Sequence, residues 1–175
     1  MGAAWSGSIA QLKKLVDTGT FIQEIYRGFA EIYHPPSLSE MKSWEESIPA
    51  LLLSLSDSKF NNLQIIIELA MPTGTARCDV VLLGGNSETP RFLVIELKQW
   101  RNIKVNPDTF EVEVSGLDLQ QHPSLQALYY TGKLHFFSAK AHTYEDYSAV
   151  YLHNASDEDI KLLVSRDLHE LVLVW

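Results

Sequence analysis

The sequence predicts an α/β domain: a mixed central sheet flanked by helices. Three observations carry this. Three apolar, β-branched runs follow one another across Leu63–Leu69, Arg77–Leu83 and Phe92–Leu97, separated by turn signals. A helix-patterned stretch precedes them, and another follows and leads into a fourth apolar run at Ala149–His153. The order is therefore helix, three strands in meander, helix, strand, and a fourth strand reached through a helix gives a mixed sheet flanked by helices. The chain has 175 residues, 46% apolar and 21% charged, which suits one globular domain, 1–175, with a real core.

Within 1–36 we expect a helical N-terminal extension. Ile9, Leu12, Leu15 and Val16 fit a short amphipathic helix, and Phe21, Ile22, Ile25, Tyr26 and Phe29 repeat the spacing over Phe21–Tyr33. Pro35-Pro36 ends it. Ser37 or Ser39 caps a firmer helix running to about Ser56, with Leu38, Met41, Trp44, Ile48, Leu51, Leu52 and Leu55 as its stripe and Pro49 as a kink. Glu45 and Glu46 fall on its solvent side, whereas Glu40 opens it and favours its dipole.

After the first strand, Pro72-Thr73-Gly74 turns the chain. Gly84-Gly85-Asn86 begins the turn between the second and third strands. From Trp100 to Gln121 the pattern is irregular, except that Phe110, Val112 and Val114 alternate with Glu111 and Glu113 as a half-exposed strand would. Pro123 begins the next helix. We assign its buried stripe to Leu125, Leu128, Tyr129, Gly132 and Phe136, with Gln126, Tyr130, Lys133 and Phe137 on a separate neighbouring stripe. Ser156 and Asp159 form a capping box for a helix to about Ser165, and Leu171–Trp175 is a last apolar run.

Charge and cysteine usage narrow the function. The formal net charge of −8 argues against a surface that coats nucleic acid generally. From Arg77 to Lys104, however, five basic residues (Arg77, Arg91, Lys98, Arg101, Lys104) outnumber three acidic ones (Asp79, Glu88, Glu96). The single Cys78 excludes an internal disulfide, suits the cytoplasm and reads as a small core residue. No signal peptide is visible and no apolar run approaches the roughly 20 residues that span a bilayer, so no membrane partner is expected. The histidines show no zinc spacing, and there is no phosphate-binding glycine loop of the NTPase or dinucleotide kind.

One stretch stands out chemically. Along Phe92–Lys98 side chains alternate, so Phe92, Val94, Glu96 and Lys98 share one face. A carboxylate and an ammonium close an apolar strand, and Asp79 lies on the partner strand of a hairpin. Gln126 and Tyr130 sit one helical turn apart and aim at one place. Two carboxylates and a lysine could hold a divalent metal and a phosphate. Glu-x-Lys alone is unspecific, and its structural alternative is an ordinary ion pair.

The ordered set Asp79, Glu96-x-Lys98, Gln126-x-x-x-Tyr130 resembles the PD-(D/E)XK nuclease superfamily, and its Q-x-x-x-Y element resembles the RecB-like branch. Trp44-x-x-Ser47, IELKQW and HPSLQALYY are similar to the nuclease domain fused to Schlafen-like helicases of the DUF2075 type. The resemblance spans about Leu38 to His153. Cys78 stands where the eponymous proline would be. It implies a restriction-endonuclease-like αβββαβ core and a nuclease, here acting on DNA in repair, restriction or phage defence. It further implies Mg²⁺ or Mn²⁺ held by Asp79 and Glu96, with Glu40 and Glu68 as further candidate ligands. Lys98, Gln126 and Tyr130 complete the catalytic set, and Arg77, Arg101, His122 and Lys133 are candidate nucleic-acid contacts. A helicase domain or subunit is an expected partner. The alternatives are a catalytically inert module of the same fold that binds nucleic acid or a helicase, and a protein-interaction module.

Overall fold

The computed structural model describes residues 2–106, 108–164 and 172–174. The chain opens on a strand, β1 (Ala3–Ser8), followed by α1 (Ile9–Asp17), α2 (Phe21–Ile32) and α3 (Leu38–Ser54). Ser8 and Ser37 cap α1 and α3 through capping boxes with Gln11 and Glu40. Three strands follow: β2 (Gln64–Ala70), β3 (Arg77–Gly85) and β4 (Pro90–Lys98). The short strands β5 (Ile103–Val105), β6 (Glu111–Val114) and β7 (Gln120–Gln121) precede α4 (Pro123–Phe137). The last elements are β8 (Glu145–Leu152), α5 (Asp157–Leu163) and β9 (Val172–Val174).

The main sheet has the order β1-β2-β3-β4-β8-β9. The first four strands are antiparallel neighbours, while β8 runs parallel to β4 and β9 parallel to β8. The expected mixed sheet flanked by helices is thus present. Its faces are covered by different helices. Ile95 of β4 packs with Ile9, Ile25, Phe29 and Ile48 of α1–α3. Phe92 and Val94, on the opposite parity, pack with Tyr130 and Leu134 of α4. β5, β6 and β7 form a separate antiparallel sheet over Trp100, Val150 and Leu163. No helix among the described residues is long and apolar enough to cross a membrane.

Three expectations are corrected. The stretch 1–36 is not wholly helical: β1 pairs with β2 from Ala3↔Leu69 to Ser8↔Gln64. Ala-Ala-Trp-Ser-Gly-Ser has no β-branched residue, so pairing to an Ile-rich neighbour overrides local propensity. The loop after Trp100 contains two further short strands, β5 and β7. The buried face of α4 is the largest correction. It consists of Pro123, Ser124, Ala127, Tyr130, Thr131 and Leu134, while Tyr129 and Phe136 of the expected stripe are exposed. Aromatic and aliphatic residues surround this helix, so hydropathy does not choose a side. Small residues bring it close to the sheet, where Thr131 Oγ1 and Ser148 Oγ lie 2.8 Å apart. Ser165 and two residues of the last apolar run, Leu171 and Trp175, lie outside the described residues.

Candidate active site

Register brings the acidic residues of three strands level. Ile67 pairs with Val80, and Val80 with Ile95. One step along the same register sets Glu68, Asp79 and Glu96 side by side on β2, β3 and β4. They line a cleft of about 410 Å³ with Arg77, Lys98, Gln126 and Tyr130. α3 supplies the opposite wall through Ser43, Trp44 and Ser47.

Glu96 is 1% exposed. Its Oε1 accepts from Lys98 Nζ at 2.7 Å, and its Oε2 is buried without a hydrogen-bond partner. Lys98 Nζ also donates to Gln126 Oε1 at 3.2 Å, and Gln126 Nε2 donates to the Tyr130 hydroxyl at 3.2 Å. The expected catalytic residues of β4 and α4 therefore form one chain of contacts. Asp79 joins from β3, its Oδ2 accepting from the Leu97 backbone N–H at 2.8 Å.

Electrostatics set this cleft apart from an ordinary ion-pair cluster. Burial and the neighbouring Asp79 charge push Glu96 up to about 8, although Lys98 opposes the shift. Burial and Asp79 likewise push Glu68 up to about 7. Asp79 is itself raised by burial, against the pull of Lys98 and the Leu97 N–H. Lys98 is held above the usual lysine range because Glu96 and Asp79 outweigh the cost of its burial. Three carboxyl groups (Glu68, Asp79, Glu96) line the cleft with two cations, Arg77 and Lys98. Fully ionised, they lack one positive charge.

The two further candidate ligands are engaged elsewhere. Glu40 Oε2 accepts from the Ser37 backbone and hydroxyl, both at 2.8 Å, and its Oε1 accepts from Arg77 at 2.9 Å. Glu68 Oε1 accepts from Trp44 Nε1 at 2.9 Å, and its Oε2 pairs with Arg77 Nε at 2.9 Å. Glu68 holds a left-handed backbone, φ 52°, inside a strand. Among the described residues, no group of three or more His, Cys, Asp or Glu is arranged to hold a metal ion.

The four candidate nucleic-acid contacts separate. Arg77 spans Glu40 and Glu68 and lies over the Phe29 and Tyr33 rings, 4.8 and 5.2 Å from their centroids. Lys133 is off the cleft lining, donating to the Thr73 carbonyl at 2.9 Å. Arg101 is exposed, off the cleft lining. His122 is a correction. It is fully buried at the N-cap of α4, its Nδ1 accepting from the Ser124 N–H at 3.3 Å. The residue before Pro123 is placed where its side chain satisfies a helix-end donor, and it offers no surface to a ligand.

Gln99, absent from the expected set, fastens the two walls. Its Nε2 donates to Ser47 Oγ at 3.0 Å and to the Ser43 carbonyl at 3.2 Å. An amide directly after Lys98, on the opposite strand face, was the available signal. No family model, curated protein or solved structure matches the chain.

Proposed function

We propose that the protein is a metal-dependent nuclease of PD-(D/E)XK type, with a Q-x-x-x-Y element, that hydrolyses phosphodiester bonds of DNA. The observation that carries the reading is the meeting of Asp79, Glu96 and Lys98 in one cleft, with a buried oxygen of Glu96 unpartnered. An unpaired buried carboxylate oxygen is costly and calls for a cation or a proton. The donors are all oxygen, which suits Mg²⁺ or Mn²⁺. Magnesium is commonly held by one or two carboxylates, with water and substrate phosphate completing its shell. Asp79 and Glu96 would hold it. When bound, such an ion neutralises phosphate charge and lowers the cost of deprotonating a water.

The remaining roles belong to the chain. Lys98 presents a point charge to a phosphate oxygen or the attacking water. Gln126 fixes that ammonium through its carbonyl and orients the Tyr130 hydroxyl through its amide. Glu40, Glu68 and Trp44 keep Arg77 and α3 docked beside the site. Repair, restriction or phage defence in the cytoplasm would use this chemistry, with a helicase as partner.

A second reading is the inert module of the same fold, favoured by the lack of a three-ligand group among the described residues. Cleavage decides between them. Supercoiled plasmid, linear duplex and single-stranded oligonucleotides are incubated with Mg²⁺, Mn²⁺ or EDTA. We expect cutting that needs the metal and disappears in Glu96→Gln. Intact substrates throughout, with no calorimetric metal binding, would overturn the nuclease reading.

A further inference from the structure

α4 carries a second feature, on the side turned away from the sheet. Tyr129, Phe136 and Phe137 are 55%, 80% and 62% exposed. Large rings this bare on one helix are an uncommon use of apolar area unless something covers them. Their helical positions place them beside Gln126 and Tyr130, which line the cleft. Tyr129 and Phe136 are two turns apart, about 10 Å along the axis. Between them stands Lys133, its ammonium 4.5 Å from the Tyr129 ring centroid.

Charge identifies the occupant. Of the 175 residues, 22 are Asp or Glu, yet none falls between Leu119 and Tyr144. That stretch contains all of α4 together with Lys133 and Lys140. An acid-free helix in an acidic protein complements an anionic partner. Bare rings interleaved with ammonium groups suit unpaired bases, which stack on aromatic faces while lysine meets the phosphates. A duplex keeps its bases stacked on one another and has none to give.

We propose that the Tyr129–Lys133–Phe136 face of α4 is a stacking track for single-stranded DNA, leading an unpaired strand along the helix to the Gln126 end of the cleft. The proposal rests on the nuclease reading for the strand's destination and deepens it by naming an unpaired strand as substrate. Stacking and a point charge read no sugar hydroxyl, and thymine offers more ring-edge area than uracil, so a deoxythymidylate strand binds at least as well as an oligouridylate.

The test separates binding from cutting. Fluorescence anisotropy in EDTA measures affinity for a labelled oligothymidylate, for a blunt hairpin duplex and for an oligouridylate. We expect tighter binding of the oligothymidylate than of the duplex. Tyr129→Ala and Phe136→Ala should each weaken it by about 5- to 100-fold, and Tyr129→Phe should leave it unchanged. Lys133→Ala should flatten its salt dependence by about one phosphate contact. All three side chains are at least partly exposed, so circular dichroism should show folded variants. Unchanged oligothymidylate affinity in both alanine variants, equal losses on the duplex, or tighter binding of the oligouridylate would overturn the proposal. So would a concentration-dependent dimer by sedimentation that Phe136→Ala abolishes, since the face would then bury a second copy. Cleavage does not enter these readouts, so a failed nuclease reading and a failed track give different results.

Discussion

The Asp79 carboxylate is tied to the backbone of the strand that carries its partners: Oδ2 accepts the N–H of Leu97, the residue between Glu96 and Lys98, at 2.8 Å. This fixes Asp79 against Glu96 at the cost of like-charge repulsion, which adds to the larger effect of burial in raising Glu96.

Asp79→Asn keeps an oxygen for the Leu97 N–H and removes one charge from the repelling pair. The variant should melt no lower than the parent in EDTA. It should lose most of the melting-temperature rise that Mg²⁺ or Mn²⁺ gives the parent, because a ligand of the folded state stabilises by mass action. Glu96→Gln should behave alike, and neither should cut DNA. Differential scanning fluorimetry with and without metal is sufficient. If Asp79→Asn unfolds the domain, the carboxylate is structural and the nuclease reading loses its main support.

Lys98→Met should give the complementary pattern. It removes the partner of Glu96 Oε1 and the donor to Gln126 Oε1. Glu96, already raised to about 8, then takes a proton more readily and limits the damage. The metal response above pH 8 should survive while cleavage is lost, since the point charge toward the phosphate is gone. A variant that cuts normally would remove Lys98 from the mechanism.

The pH dependence has a definite sign. Glu68 and Glu96 titrate from a usual 4.5 but are raised to about 7 and about 8 in the fold. Across that window the folded protein binds more protons than the unfolded chain, so metal-free stability falls as pH rises from about 4.5 through 8. A divalent cation replaces the proton on Glu96, so the metal-induced rise in melting temperature should grow from pH 6 to pH 8.5. Glu96→Gln should flatten both trends. A metal effect that is largest at pH 6 would contradict the assigned shifts.

Hydrophobic periodicity was enough for the three-strand meander, because Ile, Val and Leu on β2–β4 face cores on both sides of the sheet. Strand parity put Glu96 and Lys98 on one face and one helical turn put Gln126 beside Tyr130, but it was the resemblance to the nuclease superfamily that joined them with Asp79 into one set. Long-range features were not legible. β1 exists because β2 offers an edge, and Gln99 matters because α3 lies across from it. The face of α4 was misread because the residues that touch the sheet, Ser124, Ala127 and Thr131, are small and polar or weakly apolar. His122 was misread because a cap and a surface ligand look the same before the loop at Phe110 folds over it, ring centroids 6.4 Å apart.

Two glycines on helices should respond oppositely to alanine. At Gly28 of α2 a Cβ would meet the Ala4 carbonyl oxygen of β1 at 1.9 Å. The helix-propensity gain of about 1 kcal/mol cannot offset a backbone clash that requires the helix to move off the sheet, typically about 1–3 kcal/mol or more. At Gly132 of α4 nothing lies within 4 Å of such a Cβ, so the propensity gain remains. Denaturant titration should show Gly28→Ala less stable and Gly132→Ala about 0.5–1 kcal/mol more stable than the parent. Equal responses would mean that α2 does not sit this close to β1.

Glu68 supplies the last prediction, because its backbone and side chain can be tested separately. At φ 52° a side chain costs about 1–2 kcal/mol that glycine avoids. Elsewhere in a strand glycine is the worse choice, by about 0.5–1 kcal/mol relative to alanine. Glu68→Gly should therefore be more stable than Glu68→Ala, reversing the usual order. Both should be less stable than the parent, since Trp44 Nε1 and Arg77 lose their acceptor. Glu68→Gln keeps one acceptor but turns its amide toward the other donor, a loss of about 1–3 kcal/mol. With both oxygens already engaged, Glu68 is assigned to the wall of the site, so Glu68→Gln should retain the parent's metal-induced melting shift while Glu96→Gln loses it. A Glu68→Gln variant that folds as stably as the parent yet no longer responds to metal would move Glu68 from the wall to the ligand set.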